Sequence, residues 1–124
     1  MARQTIEQRR AKAALDWASN GVDKDTKSAA ESFAPLILMS GLGQAAAFYK
    51  SKGKDKEGKD TPHKKLFELL SRWLCAPGQP FATGQGDLLE RLVIADQRVY
   101  RAAQVEALAF LQWVKKFAKA YGVE

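Results

Sequence analysis

The chain has 124 residues, 46% of them apolar and 27% charged, and 20 Lys and Arg against 14 Asp and Glu leave a net charge of +6. This length suits a single domain, residues 1–124, that can bury a core without covalent staples, and the apolar share excludes a disordered chain. One cysteine, Cys75, and one histidine, His63, exclude an internal disulfide, a cysteine zinc site and multi-histidine catalysis within one chain, so no metal or cofactor is expected.

The segment Met1 to Arg10 is polar and basic, with no apolar stretch of the signal-peptide kind, and no run approaches the roughly 18 apolar residues of a membrane span. A soluble cytoplasmic protein with no membrane partner is expected. Thr5, with Gln8 three residues on, reads as a capping box opening a first helix, which Asn20-Gly21 closes. Asp23 is a candidate N-cap for a second helix carrying Ala29, Ala30, Phe33 and Ile37. Pro35 lies inside that pattern, where a missing donor should kink or break the helix. Ser40-Gly41 marks a boundary before a short third helix with Ala45, Ala46, Phe48 and Tyr49.

Residues 51–60 are lysine-rich and read as a mobile loop. Thr61-Pro62 is an N-cap followed by proline at the first helical position, opening a fourth helix with Leu66, Leu69, Leu70, Trp73 and Leu74. Residues 76–86 form a Pro/Gly-rich loop before a short helix near Asp87 to Ala95. The last helix is the clearest. Tyr100, Ala103, Ala107, Phe110, Val114, Phe117 and Tyr121 recur at alternating spacings of three and four, a continuous apolar seam. No segment alternates with period two for long enough to propose a strand. The expected fold is all-α, a single compact bundle of about six helices with a long C-terminal helix.

The excess charge is concentrated in two places. Arg3, Arg9, Arg10 and Lys12 stand against Glu7 near the start, and seven lysines from Lys50 to Lys65 stand against three acids. Localised positive charge suits a polyanion such as RNA or DNA, and equally a solvated, solubilising surface. Tyr49 beside Lys50 and Lys52 offers either a base-stacking face or a core ring. Trp17 and Trp73 fit apolar faces, whereas Trp113 falls off the main seam and suits a second packing face or a partner interface.

Two phosphate-loop patterns lack their context. Gly53 to Asp60 imitates G-x-x-x-x-G-K-[ST], but Asp60 stands where the motif needs a hydroxyl, and no strand precedes it. Gly41-Leu-Gly-Gln-Ala-Ala46 imitates a dinucleotide turn, but the chain offers no parallel sheet, and a helix break with close packing at Gly41 and Gly43 accounts for it. His63 and Cys75 would lie about 18 Å apart along one helix, too far for a base and thiolate. No catalytic residues are assigned and no enzyme is expected. The alternative is a stand-alone basic helical DNA- or RNA-binding protein. The helix after Gly43 is nearly uncharged until Lys50, however, and makes a poor recognition helix.

Three stretches carry a family resemblance: Glu7-Gln-Arg-Arg-Ala-Lys-Ala-Ala-Leu15; Ala34-Pro-Leu-Ile-Leu-Met-Ser-Gly-Leu-Gly-Gln-Ala-Ala-Ala-Phe-Tyr-Lys-Ser-Lys52; and Tyr100-Arg-Ala-Ala-Gln-Val-Glu-Ala-Leu-Ala-Phe-Leu-Gln-Trp-Val-Lys-Lys-Phe-Ala118. Together they resemble the small α-helical subunit of the type III-B CRISPR effector, the Cmr complex. The resemblance implies a non-catalytic subunit that stacks with further copies of itself beside the backbone subunits and helps hold the CRISPR RNA–target RNA duplex in antiviral defence. On that reading Lys50, Lys52, Arg98, Arg101, Lys115 and Lys116, then Arg9 and Arg10, are the candidate phosphate contacts, and Trp113 is the candidate partner contact.

Overall fold

Thr5 opens the first helix as the capping box requires: its Oγ1 accepts the Gln8 amide at 3.1 Å, and the Gln8 side chain accepts the Thr5 amide at 2.8 Å. The computed structural model describes residues 4–82 and 86–122. Helix α1 (Ile6–Ala18) ends before Gly21, whose φ of +93° turns the chain. Asp23 caps α2 (Lys24–Ser40) by accepting the Thr26 amide at 2.7 Å. Then follow α3 (Leu42–Ser51), α4 (Pro62–Leu74), α5 (Leu88–Ile94) and α6 (Gln97–Tyr121). No strand occurs among the described residues, only two isolated bridges, Val22 with Gly122 and Lys54 with Asp60.

Pro35 corrects an expectation, because α2 runs through it unbroken. Proline removes the bond to the carbonyl four residues back, here that of Glu31. Both Pro35 and Glu31 lie on the exposed side of α2, so water can take that carbonyl. The burial of Phe33, Ala34 and Ile37 on the opposite side holds the helix together.

Helix α6 is the axis of the bundle. It lies against α1 and α2 over most of its length and also meets α4 and α3. The seam is buried from Ala103 through Val114 and extends to Leu111 and Ala118; Tyr121, its last member, is half exposed. At about 37 Å, α6 spans the domain. The core joins it to Phe33 and Ile37 of α2, Leu42 and Tyr49 of α3, Leu66, Leu70 and Leu74 of α4 and Leu88 of α5.

Tyr49 belongs to that core. It is 1% exposed, stacks on Phe33 with centroids 3.8 Å apart, and donates its hydroxyl to the Ala29 carbonyl at 2.6 Å. Burial pushes its pKa up to about 12. Tyr49→Phe is expected to cost about 1 kcal/mol in denaturant unfolding, the net worth of one buried hydrogen bond. An unchanged midpoint would mean that the hydroxyl contributes nothing.

Hydrogen bonds and ion pairs connect several described residues of the two loops. In the lysine-rich segment Asp55 Oδ1 accepts the amides of Glu57 and Lys59, and the Asp55 amide donates to the Lys59 carbonyl at 2.9 Å. Asp60 pairs with Lys54 and Lys64. In the Pro/Gly-rich segment Phe81 is buried, its amide donates to the Leu74 carbonyl at 2.9 Å, and Arg91 donates to its carbonyl. Residues 83–85 of that loop, and Arg3 at the start of the chain, lie outside the described residues.

Candidate nucleic-acid interface

The phosphate-loop imitations resolve as packing devices. Gly41 takes φ +89°, ending α2 and opening α3. The α3 amides that a phosphate would use are already taken: Gly43 donates to the Tyr100 hydroxyl at 2.7 Å and Leu42 to the Gln104 side chain at 2.9 Å. A Cβ on Gly43 would stand 3.1 Å from the Tyr100 hydroxyl, so glycine sets how closely α3 meets α6. The second imitation, Gly53 to Asp60, closes on itself through Asp55 and Asp60. Among the described residues no group of three His, Cys, Asp or Glu is placed to hold a metal ion.

The expected phosphate contacts separate into three places. Lys50 and Lys52 sit on and just beyond the last turn of α3. Lys50 Nζ is 2.5 Å from Asp87 and 5.6 Å from the Phe67 ring centre, and Lys52 Nζ is 5.7 Å from that of Phe48. Phe48 is 45% exposed. Tyr49 is buried, so the exposed ring beside these lysines is its neighbour Phe48, since consecutive helical residues point about 100° apart. Lys50 also borders a cleft of about 480 Å³ with Lys54, Lys64, Phe67, Arg72 and Asp87. Burial would raise the Asp87 pKa, but hydrogen bonds from Lys50 and from the Glu90 and Leu89 amides lower it overall. A phosphate at Lys50 must therefore displace a carboxylate. The sequence does not single out Lys54, Lys64 or Arg72 for this cleft; Lys64 and Arg72 approach Lys50 through the docking of α4 on α3, and Lys54 through the segment that follows α3.

Arg9, Arg98 and Arg101 meet around a groove between the start of α1, residues 78–80 and the first half of α6. All three are exposed and none makes an ion pair with another described residue. Lys115 and Lys116 are exposed on the far half of α6, with Lys116 Nζ 5.8 Å from the centre of the Trp113 ring.

Arg10 does not join them. Its side chain is 14% exposed and bonds Glu106 twice, Nε to Oε2 at 2.7 Å and Nη2 to Oε1 at 2.8 Å. It also pairs with Glu7. Trp73 Nε1 donates to the same Glu106 at 2.9 Å. Trp113 likewise has partners inside the chain: it is half buried, donates to Glu7 at 3.2 Å and stacks on Phe117. Arg10 therefore ties α1 to α6 and is not available to a phosphate, and one edge of Trp113 is already occupied.

The comparison with protein families decides what these surfaces belong to. The family model described as CRISPR-associated protein (Cas_Cmr5) matches residues 6–121, nearly the whole described chain. The chain belongs to this family. It is therefore a subunit of a CRISPR Cmr assembly, which must meet other subunits. No curated protein matches it. No helix of this Cmr subunit is long and apolar enough to cross a membrane among the described residues.

His63 lies beside the Lys50–Lys52 surface, its ring 4.7 Å from that of Tyr49 and 6.2 Å from that of Phe48. Burial, with help from Lys52, holds its pKa below the usual histidine value. The folded state therefore favours the neutral ring. Its contribution is complete above the unfolded value of about 6.5 and is lost as the pH falls from there through the lower folded value. Unfolding midpoints are expected to decline over that range in this Cmr subunit, and His63→Phe should remove that part of the decline. An identical profile in the variant would assign the decline to other groups.

Proposed function

We propose that this chain is a non-catalytic building block of the type III-B CRISPR ribonucleoprotein, stacking beside the backbone subunits and helping to hold the guide–target RNA duplex. The observation that carries the RNA part is the Lys50–Lys52 surface, where the Lys52 ammonium lies over the exposed Phe48 ring and Lys50, held by Asp87, borders a cleft with Lys54 and Lys64. Lysines beside an aromatic face suit a sugar–phosphate backbone, and they hold it without reading sequence, which the guide would supply by pairing. Lys115 and Lys116 extend the positive surface along α6. The internally satisfied phosphate-loop imitations support a role without nucleotide chemistry.

Contacts with further copies and with the backbone subunit are proposed for the aliphatic side chains left in solvent at two helix ends. Leu38 and Met39 on α2 are 71% and 83% exposed, and Val93 and Ile94 on α5 are 80% and 82% exposed. Paired exposures of this size are unusual in an isolated small domain and mark surfaces that a partner covers.

Salt dependence tests the RNA reading. Four to six phosphate contacts predict a slope of about −3 to −4 in a log–log plot of single-strand affinity against salt. Lys50→Glu with Lys52→Glu should flatten it by about 1.4, from roughly 0.7 per lost contact. A flat wild-type plot, or a double variant with an unchanged slope, would overturn the assignment, and a preference for duplex DNA would favour a stand-alone nucleic-acid-binding protein.

A further inference from the structure

The groove between Arg9, Arg98 and Arg101 has a different chemistry from the lysine surface. It measures about 720 Å³, and a second depression of about 540 Å³ shares Arg101 and Val105 with it. The two form one trough across the outer side of α6. Its floor is aliphatic: Ile6 from α1, then Val105 and Leu108 from α6, with Val105 67% exposed.

Among the described lining residues the acid is Glu106, which Arg10 and Trp73 already hold and which makes no ion pair with Arg9, Arg98 or Arg101. Among its described lining residues the one aromatic ring is Tyr100, whose hydroxyl accepts from the Gly43 amide. Nucleic-acid grooves pair their cations with ring faces on which bases stack, and this floor offers branched aliphatic side chains instead. Aliphatic knobs flanked by planar guanidinium groups match a protein surface with apolar residues at helical spacing and carboxylates beside them.

We propose that this trough docks an acidic amphipathic helix of another protein in the Cmr assembly. The inference rests on the chain being a subunit, as proposed above, and not on its holding RNA. Leucine-type residues of the partner at positions i, i+3 or i+4 and i+7 would cover Ile6, Val105 and Leu108, and its Asp or Glu residues would take Arg9, Arg98 and Arg101 as forked pairs.

Ala102 is exposed and lines the groove, so it can carry a probe. The full chain, with a photoreactive benzophenone amino acid in place of Ala102, is assembled into the particle with its guide and target RNA and irradiated. Retention of the chain is read first. A wild-type chain that never enters the particle overturns the subunit reading and this inference together. With the chain retained, the expected result is a crosslink to one segment of another subunit, with spaced aliphatic residues among Asp and Glu. Arg98→Glu with Arg101→Glu should reduce its yield about tenfold, while Lys24→Glu with Lys119→Glu, exposed and outside both surfaces, leaves it unchanged. A crosslink to RNA, to a second copy or to a segment without acidic residues, or no crosslink, overturns the inference and leaves the subunit reading standing.

Discussion

Glu106→Ala is expected to destabilise the chain by about 3 kcal/mol in denaturant unfolding, with the slope of the transition unchanged. The side chains of Arg10 and Glu106 are 14% and 12% exposed, so little solvent remains to screen either charge. Removing the carboxylate leaves a guanidinium bound only by the more exposed Glu7, and leaves the Trp73 N–H without its acceptor. An uncompensated charge in such a place costs more than the pair was worth, because its desolvation is then unopposed. Glu106→Gln keeps an acceptor for Trp73 and loses only the charge, so about half the effect is expected. Arg10→Met combined with Glu106→Leu should recover most of the loss, since neither charge is then desolvated. A loss below about 1 kcal/mol for Glu106→Ala would place the pair with ordinary surface salt bridges.

The same pair predicts an acid limb. Burial alone would raise the Glu106 pKa, but the bonds from Arg10 and Trp73 outweigh it and hold the carboxyl below its usual value. The Arg10 guanidinium is raised, chiefly by its hydrogen bond to Glu106. The contribution of the carboxylate is complete above the ordinary glutamate value of about 4.3 and is lost as the pH falls through the lower folded value. Glu106→Gln should flatten the stability curve there without touching the histidine region above it.

This pair also shows where the sequence was legible and where it was not. Helices, caps and the α6 seam follow from local rules, namely a capping residue, a glycine at positive φ and an apolar spacing of three and four, and the structure has them where those rules put them. The ion pair joins residues 96 positions apart, and no local rule links them. A signal was nonetheless present. Arg10 lies four residues before buried Ala14 and eight before buried Ala18, and Glu106 stands between buried Ala103 and Phe110 at steps of three and four. A cation on one apolar stripe and an anion on another, in a chain small enough for its helices to meet, are natural partners. Choosing contacts by charge alone passes over this and places Arg10 with the phosphate contacts. Arg9 and Arg10 differ only by the helical rotation between neighbours, which directs one to the groove and the other to α6. The same step exchanges Phe48 and Tyr49. Phe81 was illegible for another reason: it sits in a loop with no periodicity and is buried only because residues 76–82 fold back on the end of α4.

The largest loss is expected from Phe110→Ala, about 4 kcal/mol. Phe110 is fully buried where α6 meets α1 and α4, and stacks on Trp73 with centroids 4.9 Å apart and planes 12° from parallel. Truncation removes that stacking and the ring's buried area, and the neighbours are held too firmly to close the space, because Trp73 is fixed by Glu106 and α1 by Arg10. A cleft of about 430 Å³ runs past Phe110 between Trp17, Leu69 and Trp73, so water can reach part of the space and the cost stays below the top of the range for such changes. Against the 5–15 kcal/mol typical of a domain, this takes the chain close to its folding threshold. Phe110 is fully buried, whereas α6 presents Arg98, Arg101, Lys115 and Lys116 to solvent. Below its lowered midpoint the variant should keep the wild-type salt slope for RNA while fewer molecules are folded, so affinity corrected for the folded fraction stays the same. A salt slope that falls along with stability would mean that RNA is held by the packing of α6 against α1 and α4, and would move the candidate interface from the lysine surface to the body of the bundle.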